Sequence, residues 1–152
     1  MHDWVRPYLV VPWLEDGRTR EGADCWGLVR LVLAEQAGID LPELPGAAAA
    51  RLTAARDEAL SGRWHEIDRG ACLLQRFDVP LYVCLGTLHC GIMLDSRWML
   101  STYNQTQGVR VEEFDSKRPA WRRIALQVYR HHSLMGQAPI DVTQGWLEVP
   151  VL

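Results

Sequence analysis

The hydrophobic period of this chain changes once, near Trp64, and that change limits the folds open to it. Before it, apolar residues recur at helical spacing. Over residues 24–37, Trp26, Val29 and Leu33 share a face, with Leu28, Leu31 and Val32 beside them, and Gly38 follows as a stop. Residues 47–60, rich in alanine and carrying Leu52 and Leu60, predict a second helix ended by Ser61-Gly62. After Trp64, short apolar or alternating runs at 71–77, 81–85, 88–94, 98–103, 109–111 and 124–129 are separated by Asp, Gly, Pro and Ser, the pattern of antiparallel strands. Helices first and strands later predict an α+β fold, with an antiparallel sheet or small half-barrel, rather than a wound α/β sheet. At 152 residues and 48% hydrophobic content the chain is sized for one domain with its own core. Residues 4–13 read as a short packed arm, 16–22 as a surface loop and 41–46 as a linker of breakers.

The run Gly22-Ala23-Asp24-Cys25-Trp26-Gly27-Leu28-Val29 brings a cysteine to the start of the first apolar helix. A helix N-terminus has unpaired N–H groups and the positive end of the macrodipole, so it favours thiolate over thiol. Cys25 is therefore the lead nucleophile, and a packing cysteine in a buried helix is the alternative. Asp24 fits a helix cap or loop tether. Pointed at the sulfur, its carboxylate would raise the thiol's pKa, so it is expected to turn away. Cys72, Cys84 and Cys90 form no CxxC pair and have no ligand-like spacing with histidine; they read as apolar strand residues, and no metal or cofactor is expected.

Pro12-Trp13, the run Asp16-Gly17-Arg18-Thr19-Arg20-Glu21-Gly22-Ala23-Asp24-Cys25-Trp26-Gly27-Leu28-Val29-Arg30 and the exit Gly38-Ile39-Asp40-Leu41-Pro42 resemble the NlpC/P60 cysteine peptidases. The DCWGLVR form and the GIDLP exit most resemble members found in phage tails. Leu88-His89-Cys90-Gly91-Ile92 resembles the family's catalytic-histidine strand, and Val128-Tyr129-Arg130-His131 the end of the phage version. The resemblance spans roughly residues 12–132, making 1–132 the peptidase-like domain and 133–152 an extension. That extension, with Pro139, Ile140, Trp146, Val149, Pro150 and Val151, is too apolar for simple disorder and is expected to pack on the domain or dock on a partner. The implied fold is papain-like, with the cysteine helix packed on the sheet.

A thiol nucleophile needs a base that later returns the proton to the leaving amine. From residues alone, His89 reads first as a hydrogen-bonded core histidine; the resemblance makes it that base. His2 and His65 sit in surface contexts, and His131-His132 read as a solvated pair ending the last strand. In the family a polar residue, often histidine, orients the imidazole from the next strand. Here Ser101 falls at that place, with Thr102 one residue on and Asn104 within reach. The family's tyrosine after the proline corresponds to Trp13, whose indole N–H is also a donor. Its usual Gly-Asp pair corresponds to Gly70-Ala71. Trp13, Asp24 and Trp26 are expected to line the substrate or oxyanion side, with backbone N–H groups at Cys25 forming the oxyanion hole.

A formal charge of −3 and no basic run argue against a nucleic-acid partner or a membrane surface. No stretch is long and apolar enough for membrane insertion, and Met1-His2-Asp3-Trp4 has no signal-peptide pattern. The resemblance implies a phage tail-associated endopeptidase that cuts peptidoglycan stem peptides, at the γ-D-glutamyl to diaminopimelate bond, through a thioester. It would be made in the host cytoplasm and carried in the virion among tail-tip proteins. The alternative is a structural tail-tip protein keeping the fold with weak or no catalysis; a retained nucleophile and base oppose it. An amidase or acyltransferase acting on another substrate is a third reading.

Overall fold

The computed structural model describes residues 2–44, 48–84, 86–114 and 123–136. Among these the chain forms two α-helices and nine strands, α+β as the change of period predicts. A 3-10 helix, Asp3–Tyr8, opens it, so the expected arm is a regular element with Pro7 inside. A hairpin of two-residue strands, β1 Arg18–Thr19 and β2 Gly22–Ala23, follows where a loop was expected.

Helix α1, Cys25–Ala37, has the boundaries the sequence sets. The Asp24 side chain accepts the Gly27 N–H at 2.8 Å, capping the first turn. Gly38 ends it in the left-handed region at φ 66°, where a side chain would be strained. Leu28, Val29, Val32 and Leu33 are fully buried, packed with Val5 and Tyr8 of the opening helix and Ile92 and Leu100 of the sheet. Helix α2, Ala48–Ala59, follows the breaker-rich linker.

Strands β3 Trp64–Glu66, β4 Val79–Cys84, β5 Thr87–Cys90 and β9 Arg123–His131 form one antiparallel sheet in the order β3-β9-β4-β5. Strands β6 Ile92–Met93, β7 Trp98–Thr102 and β8 Val109–Glu113 form another. The apolar run over 88–94 therefore feeds two sheets, and Gly91 is the break. A Cβ there would lie 3.0 Å from the Leu100 carbonyl oxygen, a contact tighter than side chains usually make, so glycine suits this approach of the two backbones. A second core of Tyr82, Met93, Met99, Phe114 and Val128 forms beside the first.

The readings of residues 71–77, Cys72, His2 and His131 are corrected. Residues 71–77 form turns instead of a strand: the Ala71 and Cys72 N–H groups both donate to the Asp68 carbonyl, and Phe77 takes φ 73°. Cys72 is consequently exposed, while Cys84 and Cys90 are buried in strands as read. His2 and His131, expected at the surface, are buried: His2 lies beside Trp4, and the His131 ring meets Trp64 edge-on at 5.2 Å. Trp64 itself starts a strand because β9 is long enough to pair with it at His131. The expected boundary at 133 falls in a short 3-10 helix, His132–Leu134; the rest of the extension from residue 137 lies outside the described residues.

A buried ion pair ties the last strand to the loop before β4. Arg130 donates to both oxygens of Asp78, Nε to Oδ1 at 2.7 Å and Nη2 to Oδ2 at 2.8 Å, with Asp78 fully buried. Removing one partner leaves the other charge buried alone, which costs about 3–5 kcal/mol. Arg130→Ala is expected to lower unfolding free energy by about that amount in chemical denaturation, and Arg130→Lys, which cannot reproduce the fork, by less.

Candidate active site

The hairpin, not the helix alone, sets where Cys25 sits. The Asp24 carboxylate accepts the Gly27 N–H, the Asp16 N–H at 3.2 Å and Arg18 Nη1–H at 2.7 Å. Arg18 continues to the carbonyls of Gly17 at 2.8 Å and Leu44 at 3.1 Å. One carboxylate thus joins the helix cap, the hairpin and the segment after α1. A Cβ on Gly27 would stand 2.0 Å from the Gly17 carbonyl oxygen, which explains the glycine two residues after the cysteine: it lets the hairpin backbone lie on the helix's first turn.

Cys25 is 7% exposed and opens α1, with His89 on the facing strand β5. Hydrogen bonding from the Cys90 side chain holds the Cys25 thiol well below the ordinary thiol range. Burial pushes the other way, and hydrogen bonds from His89 and the Cys90 backbone, with the imidazole charge, add to the lowering. Cys90, read as a packing residue, is thus the neighbour that most favours the charged sulfur; only the pairing of strand and helix brings it there.

Two recesses meet at Cys25 and His89. One, of about 50 Å³, is apolar, with Trp26, Leu81, Leu88, Ala59 and Tyr129 in its walls. The other, of about 190 Å³, is the more polar of the two and is lined by Trp13, Glu15, Asp24, Thr102 and Tyr103. Trp13 and Asp24 are therefore on one side of the sulfur and Trp26 on the other, where its indole N–H donates to the Pro42 carbonyl at 3.0 Å.

Of the residues weighed as the partner of His89, Ser101 is fully buried, lines neither recess, and donates its hydroxyl to Glu112 Oε2 at 3.0 Å. Thr102, its neighbour in the strand and so on the other face, lines the polar recess with His89, and its buried Oγ1 has no hydrogen-bond partner among the described residues. Asn104 is spent on a turn, accepting the Thr106 and Gln107 N–H groups at 3.0 Å each. His89 Nδ1 is likewise buried with no partner among the described residues. What touches the imidazole instead is aromatic: Tyr82, its cross-strand neighbour, at 6.0 Å between ring centroids, and Tyr103 at 5.1 Å. Sequence reasoning missed both, because cross-strand register carries no local signal. Among the described residues no group of three or more His, Cys, Asp or Glu is arranged to hold a metal ion.

A helix-borne cysteine facing a strand-borne histidine, on an antiparallel sheet, is the architecture of papain-like thiol hydrolases. The chain belongs to the NlpC/P60 family, whose model matches residues 11–130. Among solved structures it is similar to the crystal structure of the NlpC/p60 domain of the peptidoglycan hydrolase SagA, at 18% identity and a TM-score of 0.49 over 80% of this chain and 92% of that one. No curated protein matches it.

Because the folded thiol titrates below an ordinary one, the thiolate persists as pH falls below about 8.5, the value of a free thiol. The rate of Cys25 alkylation by iodoacetamide is therefore expected to stay high at neutral pH, with its acid limb below the free-thiol value. Cys90→Ala is expected to move that limb upward, read from the pH dependence of the alkylation rate.

Proposed function

We propose that this chain is a cysteine peptidase that cleaves peptidoglycan stem peptides, at the γ-D-glutamyl to diaminopimelate bond. The observation that carries the reading is the Cys25 thiol, lowered by its neighbours and facing His89 at the junction of two recesses, in a chain of the NlpC/P60 family. The Cys25 thiolate attacks the scissile carbonyl carbon, and the oxyanion that forms is met by backbone N–H groups at the start of α1. His89 gives its proton to the leaving amine, then takes one from the water that hydrolyses the thioester. The polar recess, which has Glu15 in its wall, suits the charged part of a stem peptide, and the apolar one a small aliphatic group.

The site of action we infer is the tail tip of a phage, among tail-tip proteins in the virion. This rests on the DCWGLVR and GIDLP motifs and is tested by mass spectrometry of purified particles and by the neighbours of the gene. A structural tail-tip protein of weak activity is the second reading, favoured by the unpartnered Nδ1 of His89.

Purified peptidoglycan incubated with the protein is expected to release peptides ending at the γ-D-glutamyl carboxylate, identified by mass spectrometry. Cys25→Ala and His89→Ala are expected to abolish release while remaining folded by circular dichroism. Intact peptidoglycan after incubation with folded wild-type protein would favour the structural reading.

A further inference from the structure

Among the described residues His89 Nδ1 has no hydrogen-bonding partner, and the half-buried ring lies beside two tyrosines. Tyr82 lies nearly parallel to it, at an interplanar angle of 19°, and Tyr103 is tilted at 59°. Two planes at different angles limit rotation of the imidazole as a hydrogen bond would, without donating or accepting a proton. The tyrosines are in turn linked through their hydroxyls. Tyr82 donates to Tyr103 at 3.3 Å, and Tyr103 donates to Glu112 Oε2 at 2.7 Å, the oxygen that also takes the Ser101 hydroxyl. Glu112 is 8% exposed, with Arg110 Nε 3.8 Å from its other oxygen. A carboxylate is costly to bury, and hydroxyl donors offset part of that cost.

We propose that Glu112 is a positioning residue for His89, acting through Tyr103: the carboxylate anchors the Tyr103 hydroxyl, and the anchored ring holds the imidazole where it meets Cys25. The link is mechanical: with its hydroxyl held on the carboxylate, the Tyr103 ring cannot swing away from the imidazole it meets at 5.1 Å. The proposal rests on His89 being the base, as proposed above. It gives the buried Ser101 a place on the same anchor, one step removed from the imidazole.

Other ionisable groups also surround the ring: Cys25 from α1, Cys90 beside it on β5, Glu15 and Asp24 across the polar recess, and Glu58 of α2, which Arg63 engages, across the apolar one. All are left intact by the variants Tyr103→Phe, Glu112→Gln and Ser101→Ala. The readout is the pH profile of Cys25 alkylation by iodoacetamide, which needs no peptidoglycan. Tyr103→Phe keeps the ring against His89 and removes only the hydroxyl link. With the imidazole less firmly held beside the sulfur, the acid limb of thiolate formation is expected to move up, with about a three- to tenfold loss of rate at neutral pH. Glu112→Gln is expected to match it, the double variant to add nothing further, and Ser101→Ala, which removes one donor from the anchor but keeps Tyr103 on it, to shift the profile less. An unchanged profile in Tyr103→Phe, or an equal shift from Ser101→Ala, overturns the proposal, and Tyr103→Phe alone suffices should Glu112→Gln fail to fold. Should wild-type Cys25 react as an ordinary thiol, the peptidase reading fails and takes this proposal with it; a fast wild type with unmoved variants refutes the positioning role alone.

Discussion

The carboxylate of Asp24 is the joint on which the site depends. It caps α1, receives the Arg18 guanidinium and a backbone N–H of the hairpin, and so fixes the residue next to the nucleophile in three directions. A charge so close to a thiolate would oppose it if it were free to turn. With its oxygens engaged by donors, its field at the sulfur is offset by the cationic Arg18 and by the helix terminus it caps. Gly27 is the steric counterpart, since any larger residue would push the hairpin off the helix and release the carboxylate's partners.

Facing that joint is a break in the sheet. From Gly91 on, the strand keeps hydrogen bonds to the Pro80 and Asp78 carbonyls on one side and takes up pairing with β7 on the other, so His89 and Cys90 lie at the end of one sheet just before the second begins. This places an imidazole and a second thiol beside Cys25 while leaving space on either side, apolar toward α2 and polar toward the hairpin. A helix-mounted sulfur and strand-mounted neighbours move little relative to one another, as charge transfer between them requires. The tyrosines beside His89 belong to the same economy of position, because their hydroxyls lead to Glu112 on β8 and join the two sheets beneath the site.

Much of this was legible in the sequence by itself. Helix α1, its cap at Asp24 and its stop at Gly38 are local physics, written in residues within a few positions of each other. The α+β order follows from a change of hydrophobic period, and the cysteine motif with its glycines marks the family before any contact is known. Only the tertiary structure decided what depends on register and pairing across long separations. Residues 71–77 look like a strand, but Asp68 and Asp78 draw the Ala71, Cys72 and Gln75 N–H groups into turns, and Phe77 at the end of the run donates to the Met93 carbonyl. His131 looks solvated until Trp64 packs on it from β3. Ser101 and Thr102 are neighbours of equal promise in the sequence, yet a strand sends successive side chains to opposite faces, one to Glu112 and the other to the recess with His89. Glu112 lies just past the apolar run at 109–111; in the fold it is buried where the Ser101 and Tyr103 hydroxyls, from β7 and the residue after it, both donate to its Oε2, and no local pattern encodes that meeting.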